Sequence, residues 1–173
     1  DNLPELPDIK LDEHQFAIIE QMVKERRTFE LEFDIRNHFK LGPVKYHNVV
    51  ASIKGSKYPD EYVIISGHLD AFDVATGGID CGTGIGPMME AARMIAKSGA
   101  KPKRTILFIG FAGEEFGLLG AQAWVKAHKD KLPKIANLFN RDGGPEPPVG
   151  ISVPQAAWGE QTHQFSPSKV SLH

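Results

Sequence analysis

Three apolar runs with little or no charge stand out along the chain, at residues 62–65 (YVII), 104–111 (RTILFIGF) and 135–139 (IANLF). Short runs rich in β-branched and aromatic residues are typical of strands, and an uncharged run such as 62–65 is typical of a strand buried on both faces of a parallel sheet. The pattern therefore predicts three strands. Acidic residues follow each of them within a few positions.

Apolar residues recur at helical spacing in three other stretches, residues 12–27, 83–97 and 117–129. A stripe of this kind is expected where one side of a helix packs on a core. Asp12 is a favourable N-cap for the first helix, and Gly99 is a favourable residue just after the second. The sequence thus predicts three helices on the faces of the sheet.

Two further strands are predicted near the start of the chain. Residues 29–35 alternate between apolar and charged side chains, as in an edge or near-edge strand with one solvated face. Residues 45–54 form the second, and the turn-forming residues 55–60 lead from it into the strand at 62–65, which suggests a pair of strands before the first acidic loop.

The succession of strand, polar loop and helix predicts an α/β fold with a mixed, mostly parallel sheet. Because ligands bind outside the carboxyl ends of the strands in open sheets of this kind, the polar residues at those ends are functional candidates. The loops carrying His68, Glu114 and Asp142 are expected along one edge, within about 10 Å of one another, the span of one ligand cluster.

Composition narrows the classes of function. The chain has 173 residues, 41% of them hydrophobic, with a net charge of −2 and a pI near 6.4. This composition suits one domain and argues against a general nucleic-acid binder. The sequence has no apolar run long enough to span a membrane, and residues 1–10 do not have the pattern of a signal peptide. Cys81, the single cysteine, excludes an internal disulfide.

The candidate chemistry comes from one histidine and a set of carboxylates. His68 and Asp70 follow the first apolar strand, and Asp80 lies in a glycine-rich loop just beyond. A metal-bound histidine usually gives its second ring N–H to a carboxylate. The H-x-D spacing at a strand end can place both groups on the same side of the chain, so it fits a metal site. Turn formation alone accounts for Asp73, Gly77 and Gly78, but it does not account for the His68–Asp70 pair.

Glu114 and Glu115 follow the second apolar strand, and Asp142 follows the third. Taken alone, two glutamates at this position are equally well explained as acidic residues at a helix N-terminus. As a set, these residues and those near His68 supply the imidazole and carboxylate donors that zinc uses. A carboxylate can bridge two ions, and a glutamate that stays off the metals can serve as general base.

Three segments carry a resemblance to a known family: SGHLDAFDVATGGIDCGTG, FAGEEFGLLGA and NRDGG. They resemble the motif blocks of the M28 family of di-zinc aminopeptidases and carboxypeptidases, and most closely those of its carboxypeptidase Q-like branch. The resemblance extends over residues 29–153. It implies a three-layer αβα sandwich of the zinc-exopeptidase, phosphorylase/hydrolase-like type.

Residue roles follow from the same resemblance. It implies that His68 and Asp142 bind one zinc ion, that Glu115 binds the other, and that Asp80 bridges the two. Glu114 becomes the general base and Asp70 orients His68. The family commonly has a cis peptide after the bridging aspartate, which is expected here at Asp80–Cys81.

Two departures from the family pattern alter these expectations. Cys81 stands where the family mostly has Asn or Asp, and a thiol is a weaker hydrogen-bonding group. The family's fifth ligand is a histidine well beyond the Asp142 block. In that part of this chain the only histidines are His163 and His173, which lie in a polar tail. The organisation expected is a linker-like start at 1–10, an incomplete peptidase domain at 11–158 and a tail at 159–173. At most one zinc ion and little activity are therefore expected for this chain, against two zinc ions in a complete site.

The function expected from these residues is zinc-dependent exopeptidase activity, as an aminopeptidase or a dipeptidase. The alternatives are a single-zinc enzyme similar to glutaminyl cyclases and a non-catalytic domain of the same fold. The expected partner is a peptide or dipeptide substrate, with no nucleic acid and no membrane span, and homo-oligomerisation stays open. The resemblance also implies an extracytoplasmic location, whether secreted, periplasmic or lysosomal.

Overall fold

The computed structural model describes residues 9–36, 38, 42–73 and 75–146, in two compact units that divide between residues 43 and 44. The first unit contains helix α1, Glu13–Lys24. Asp12 caps it as predicted, since its carboxylate accepts from the backbone N–H of Gln15 at 2.9 Å. No residue of α1 is buried, and the prediction that this helix covers the sheet stays a prediction.

The prediction of a strand at residues 29–35 was wrong. The structure gives these residues no strand pairing, and the nearby contact of Arg36 is with Asp34, two positions away, at 2.6 and 2.8 Å. Alternation of apolar and charged residues specifies which side chains share a face, but a strand also needs a neighbouring backbone to take its N–H and C=O groups. Residues 29–35 therefore have the alternation of a strand but no partner strand among the described residues.

The second unit contains a four-stranded sheet and two helices. Its strands are β1 (Val49–Ile53), β2 (Tyr58–His68), β3 (Arg104–Phe111) and β4 (Ile135–Asn140), and its helices are α2 (Gly82–Lys97) and α3 (Leu119–Ala127). A short 3₁₀ turn, Leu132–Lys134, precedes β4. These bounds confirm the three apolar strands and the second and third predicted helices to within a few residues.

The strand order is β1-β3-β2-β4. Strand β2 pairs in parallel with β3 and β4, whereas β1 is antiparallel to β3. The mixed, mostly parallel sheet is thus confirmed, but the suggested pair of β1 with β2 is wrong because β3 lies between them. Strands joined by a turn are consecutive in sequence, but they need not be neighbours in the sheet. Here β3, which follows β2 through helix α2, lies between β1 and β2.

The core lies between the sheet and α3, where Ile64, Leu107 and Ile109 pack with Trp124. Ile65 points to the other face, since successive side chains of a strand alternate, and it lines a groove together with Met88 of α2. The two helices therefore cover opposite faces of the sheet, as a three-layer αβα fold requires. No helix in the described ranges is long and apolar enough to cross a membrane.

Candidate metal centre

The ends of three strands meet at one edge of the sheet. His68, the last residue of β2, lies opposite Phe111, the last residue of β3, and Ser66 lies opposite Asn140 at the end of β4. Because the three strands are parallel, the loops that follow them start at the same edge. Nε2 of His68 lies 3.3 Å from Oδ1 of Asp142 and 3.9 Å from Oε2 of Glu114. The predicted convergence of these loops is confirmed.

His68 is the buried centre of this group, with 3% of its side chain exposed. Its Nδ1 lies 2.9 Å from the backbone carbonyl of Asp70, and its Nε2 lies 2.7 Å from Oδ1 of Asp80. Since a carbonyl oxygen can only accept, Nδ1 carries a hydrogen, and Nε2 faces the carboxylates. Burial disfavours charge on the ring, but the Asp80 hydrogen bond and the nearby acids outweigh it and raise the pKa of His68.

Asp70 contacts the ring of His68 through its main-chain carbonyl and not mainly through its carboxylate. Its carboxylate was expected to orient His68, yet the closest carboxylate oxygen is 3.7 Å from Nδ1. Its two oxygens instead accept from the backbone N–H groups of Glu114 and Glu115, each at 3.1 Å. Burial opposes its charge, but these two donors stabilise the carboxylate and lower the pKa of Asp70. Asp70 thus contacts the ring of His68 through its main chain, and its side chain holds the loop that carries Glu114 and Glu115, the glutamate loop.

Glu114 and Glu115 face the same edge and differ in their surroundings. One oxygen of Glu115, Oε1, is buried without a hydrogen-bond partner, alone in this respect among the side chains of the described residues. Glu114 keeps 28% of its side chain exposed. Burial and the neighbouring carboxylates raise the pKa of Glu114, and the proximity of His68 offsets this only in part.

A zinc ion fits this donor set. Donor atoms of His68, Asp80 and Glu115 all lie within 4.8 Å of one another, and those of His68, Cys81 and Asp142 form a second such group. Imidazole and carboxylate are common zinc ligands, and a buried carboxylate oxygen without a partner is what a missing cation would leave. Among the described residues of the second unit, 44–73 and 75–146, no Lys or Arg forms an ion pair with these acids.

Cys81 is buried next to the candidate ligands His68 and Asp142. The Asp80–Cys81 peptide is cis, as expected. The thiol is buried and donates to the carbonyl of Arg141 at 3.2 Å. Burial raises the pKa of Cys81, although the backbone N–H groups of His68 and Gly84 act in the opposite direction.

Sequence reasoning missed several residues that support the site. Asn48, before β1, accepts from the N–H of Ala112 at 3.0 Å and donates to the carbonyl of Gly120 at 2.8 Å, so it joins the two ends of the Glu114 loop. Ser66 donates to the side chain of Asn140 at 2.7 Å and joins β2 to β4. Single polar residues of this kind have no spacing pattern that would reveal them. The candidate ligands His163 and His173 lie outside the described residues.

Comparison with known proteins identifies the family of this chain. The sequence profile of peptidase family M28 matches residues 48–167, more than half of the chain. The chain belongs to peptidase family M28. It is 38% identical over 119 residues to carboxypeptidase Q of Rattus norvegicus, a match that covers 66% of this chain and 25% of the relative.

Solved structures of peptidases resemble part of the chain. A peptidase M28 precursor from Shewanella amazonensis is 42% identical with a TM-score of 0.54, covering 56% of this chain and 22% of that protein. A zinc aminopeptidase from Bacillus subtilis is 30% identical with a TM-score of 0.51, covering 56% and 24%. This chain therefore spans about a quarter of the length of the M28 proteins that it matches.

Proposed function

We propose that this chain carries the metal centre of a zinc exopeptidase, an M28 enzyme that removes terminal residues or dipeptides from peptides. The observation that carries the proposal is the buried His68, which carboxylates surround. One of them has a buried oxygen without a hydrogen bond, and among described residues 44–73 and 75–146 none of them pairs with a Lys or Arg. A purely structural acidic cluster would be expected to contain compensating cations or fully satisfied oxygens.

Four side chains would hold the metal. His68 and Asp142 are assigned to one zinc ion, Glu115 to a second, and Asp80 to both. The Nδ1–H of His68 donates to Asp70, which leaves Nε2 available as the ligand atom. Zinc at such a site polarises a carbonyl oxygen and lowers the pKa of water.

Glu114 is the proposed general base. Its carboxylate is the partly exposed one beside the group of ligands, so it can meet water while Glu115 is turned inward. Its raised pKa brings it closer to the range in which a carboxylate takes a proton from water and returns it to a leaving amine. Asp70 fixes the backbone of both glutamates and so keeps their two roles apart.

Zinc analysis and peptide hydrolysis test this proposal. The full-length protein is expected to bind zinc and to release terminal residues from short peptides. One zinc ion with cyclisation of N-terminal glutamine would favour the single-zinc alternative. Absence of both zinc and hydrolysis would contradict the proposal. An extracytoplasmic location belongs to the same proposal, and fractionation of the native protein tests it. The oligomeric state stays open, and light scattering measures it.

A further inference from the structure

The candidate ligand Asp142 lies in a loop beyond β4, and the start of α2 holds the two carbonyl groups that flank it. The carbonyl of Arg141 accepts from Sγ of Cys81 at 3.2 Å. The carbonyl of Gly143 accepts from Oγ1 of Thr83. Asp142 is therefore bracketed by two donors that are two residues apart in the chain.

The thiol of Cys81 occupies a space shaped for it. Only 2% of the residue is exposed. A Cβ atom at Gly84 would lie 2.5 Å from Sγ and 2.2 Å from the carbonyl oxygen of Arg141, and one at Gly67 would lie 3.4 Å from Sγ. Any side chain at Gly84 would thus displace either the sulfur or the Arg141 carbonyl. The glycine permits the close approach of α2 to the loop that carries Asp142.

The same thiol could be interpreted as a metal ligand, because Sγ lies within 4.8 Å of donor atoms of His68 and Asp142. Its contacts argue against that role. It donates its hydrogen to a main-chain carbonyl, whereas Asp80 already supplies a carboxylate oxygen 2.7 Å from Nε2 of His68. A bound metal would need the sulfur without its hydrogen and turned away from that carbonyl.

We infer that Cys81 and Thr83 are positioning residues that hold Asp142 in place for metal binding. This inference rests on the proposed function. The start of α2 and its N-cap Cys81 then connect two candidate ligands. They follow Asp80 in sequence, and their side chains hold the backbone on both sides of Asp142. Thr83 contributes less than Cys81, because its single hydroxyl hydrogen is shared with the carbonyl of Ile79 at 2.7 Å.

Hydrogen exchange of the metal-free protein is the first test. In Cys81→Ala, the hydrogen-bonded amides of Arg141 and Gly143 are expected to exchange about 2- to 10-fold faster than in the parent protein, the equivalent of one lost hydrogen bond. Thr83→Val is expected to give a smaller increase. Cys81→Ser, which keeps a donor, is expected to restore most of the protection. Unchanged exchange in Cys81→Ala and Thr83→Val would overturn the inference whether or not the protein binds zinc.

Zinc affinity measured against a competing chelator is the second test. Cys81→Ala is expected to weaken binding about tenfold, as for other residues that orient metal ligands. Thr105→Val is the matched control, because it removes a buried hydroxyl at the opposite end of β3 and is expected to leave the affinity unchanged while lowering the melting temperature. Equal affinity of Cys81→Ala and the parent protein would overturn the inference and leave the proposed function intact.

Cobalt substitution separates the positioning role from direct ligation. The cobalt-loaded parent protein is expected to show no near-ultraviolet band from a thiolate bound to cobalt. A strong band that Cys81→Ala abolishes would identify the sulfur as a ligand and overturn the inference. A parent protein that takes up neither zinc nor cobalt would contradict the proposed function, and the positioning role with it.

Discussion

The two ends of strands β2 and β3 differ sharply in how their polar groups are satisfied. At the amino end, Glu61 pairs with Arg104 at 2.6 Å. Thr105 donates to the carbonyl of Pro59 at 2.7 Å and accepts from the N–H of Gly55 at 3.0 Å. At the carboxyl end, five acids surround the single imidazole of His68, and one Glu115 oxygen has no partner.

This difference shows which end is arranged for stability and which for chemistry. Paired charges and satisfied hydroxyl groups lower the free energy of the folded chain without further partners. Clustered carboxylates repel one another and stabilise the fold only when a cation is added. Substitutions at the amino end should therefore alter stability, and substitutions at the carboxyl end should alter metal binding and activity.

The largest effect is expected for Glu114→Gln. In the full-length protein, removal of the general base should lower kcat by about 10²- to 10⁴-fold, while zinc content stays unchanged because the proposed ligands remain. Glu61→Gln is the matched control at the amino end and should keep full activity. Parallel loss of zinc and activity in Glu114→Gln would show that the roles of Glu114 and Glu115 are exchanged.

Asp70→Asn is expected to have the next largest effect. The new amide can accept from one backbone N–H group of the glutamate loop but turns a donor toward the other. Zinc affinity should fall about 10- to 100-fold, as it does when residues that orient ligands are changed. Asp60→Asn, an exposed position in β2, is the control. An unchanged zinc affinity in Asp70→Asn would show that Asp70 does not support the metal site.

Thr105→Val tests the amino end. It leaves the N–H of Gly55 without its acceptor in a buried position, which should lower the free energy of unfolding by about 1–3 kcal/mol. Chemical denaturation of the metal-free protein measures this change, and Thr105→Ser should recover most of the loss. A change in zinc affinity larger than in Asp60→Asn would break the proposed separation between the two ends.

The smallest effect is expected for the ion pair between Glu61 and Arg104. Their side chains are 42% and 41% exposed, so solvent screens the pair, and Glu61→Gln should lower the free energy of unfolding by less than about 1 kcal/mol. The loss should shrink further at high salt. A larger loss that is insensitive to salt would indicate that the contact of Arg104 with the Tyr58 ring, 5.3 Å from its centroid, depends on Glu61.

The sequence by itself determined the elements of the core and the candidate residues that follow the ends of the strands. The strand predicted at 104–111 has the observed bounds Arg104–Phe111, and the predicted helix 83–97 differs from α2 by one residue. These elements were predictable because buried strands and amphipathic helices impose a local periodicity on the chain. The acids at the strand ends were predictable because parallel strands end at a common edge.

Only the tertiary structure decided how these parts are joined. It inserted β3 between β1 and β2 and left residues 29–35 without a partner strand. In the folded chain, the carboxylate of Asp70 accepts hydrogen bonds from the backbone of Glu114 and Glu115, and the thiol of Cys81 donates to the carbonyl of Arg141. Such contacts join residues separated by 40 to 60 positions, and a local pattern does not specify which backbone group a distant side chain will meet.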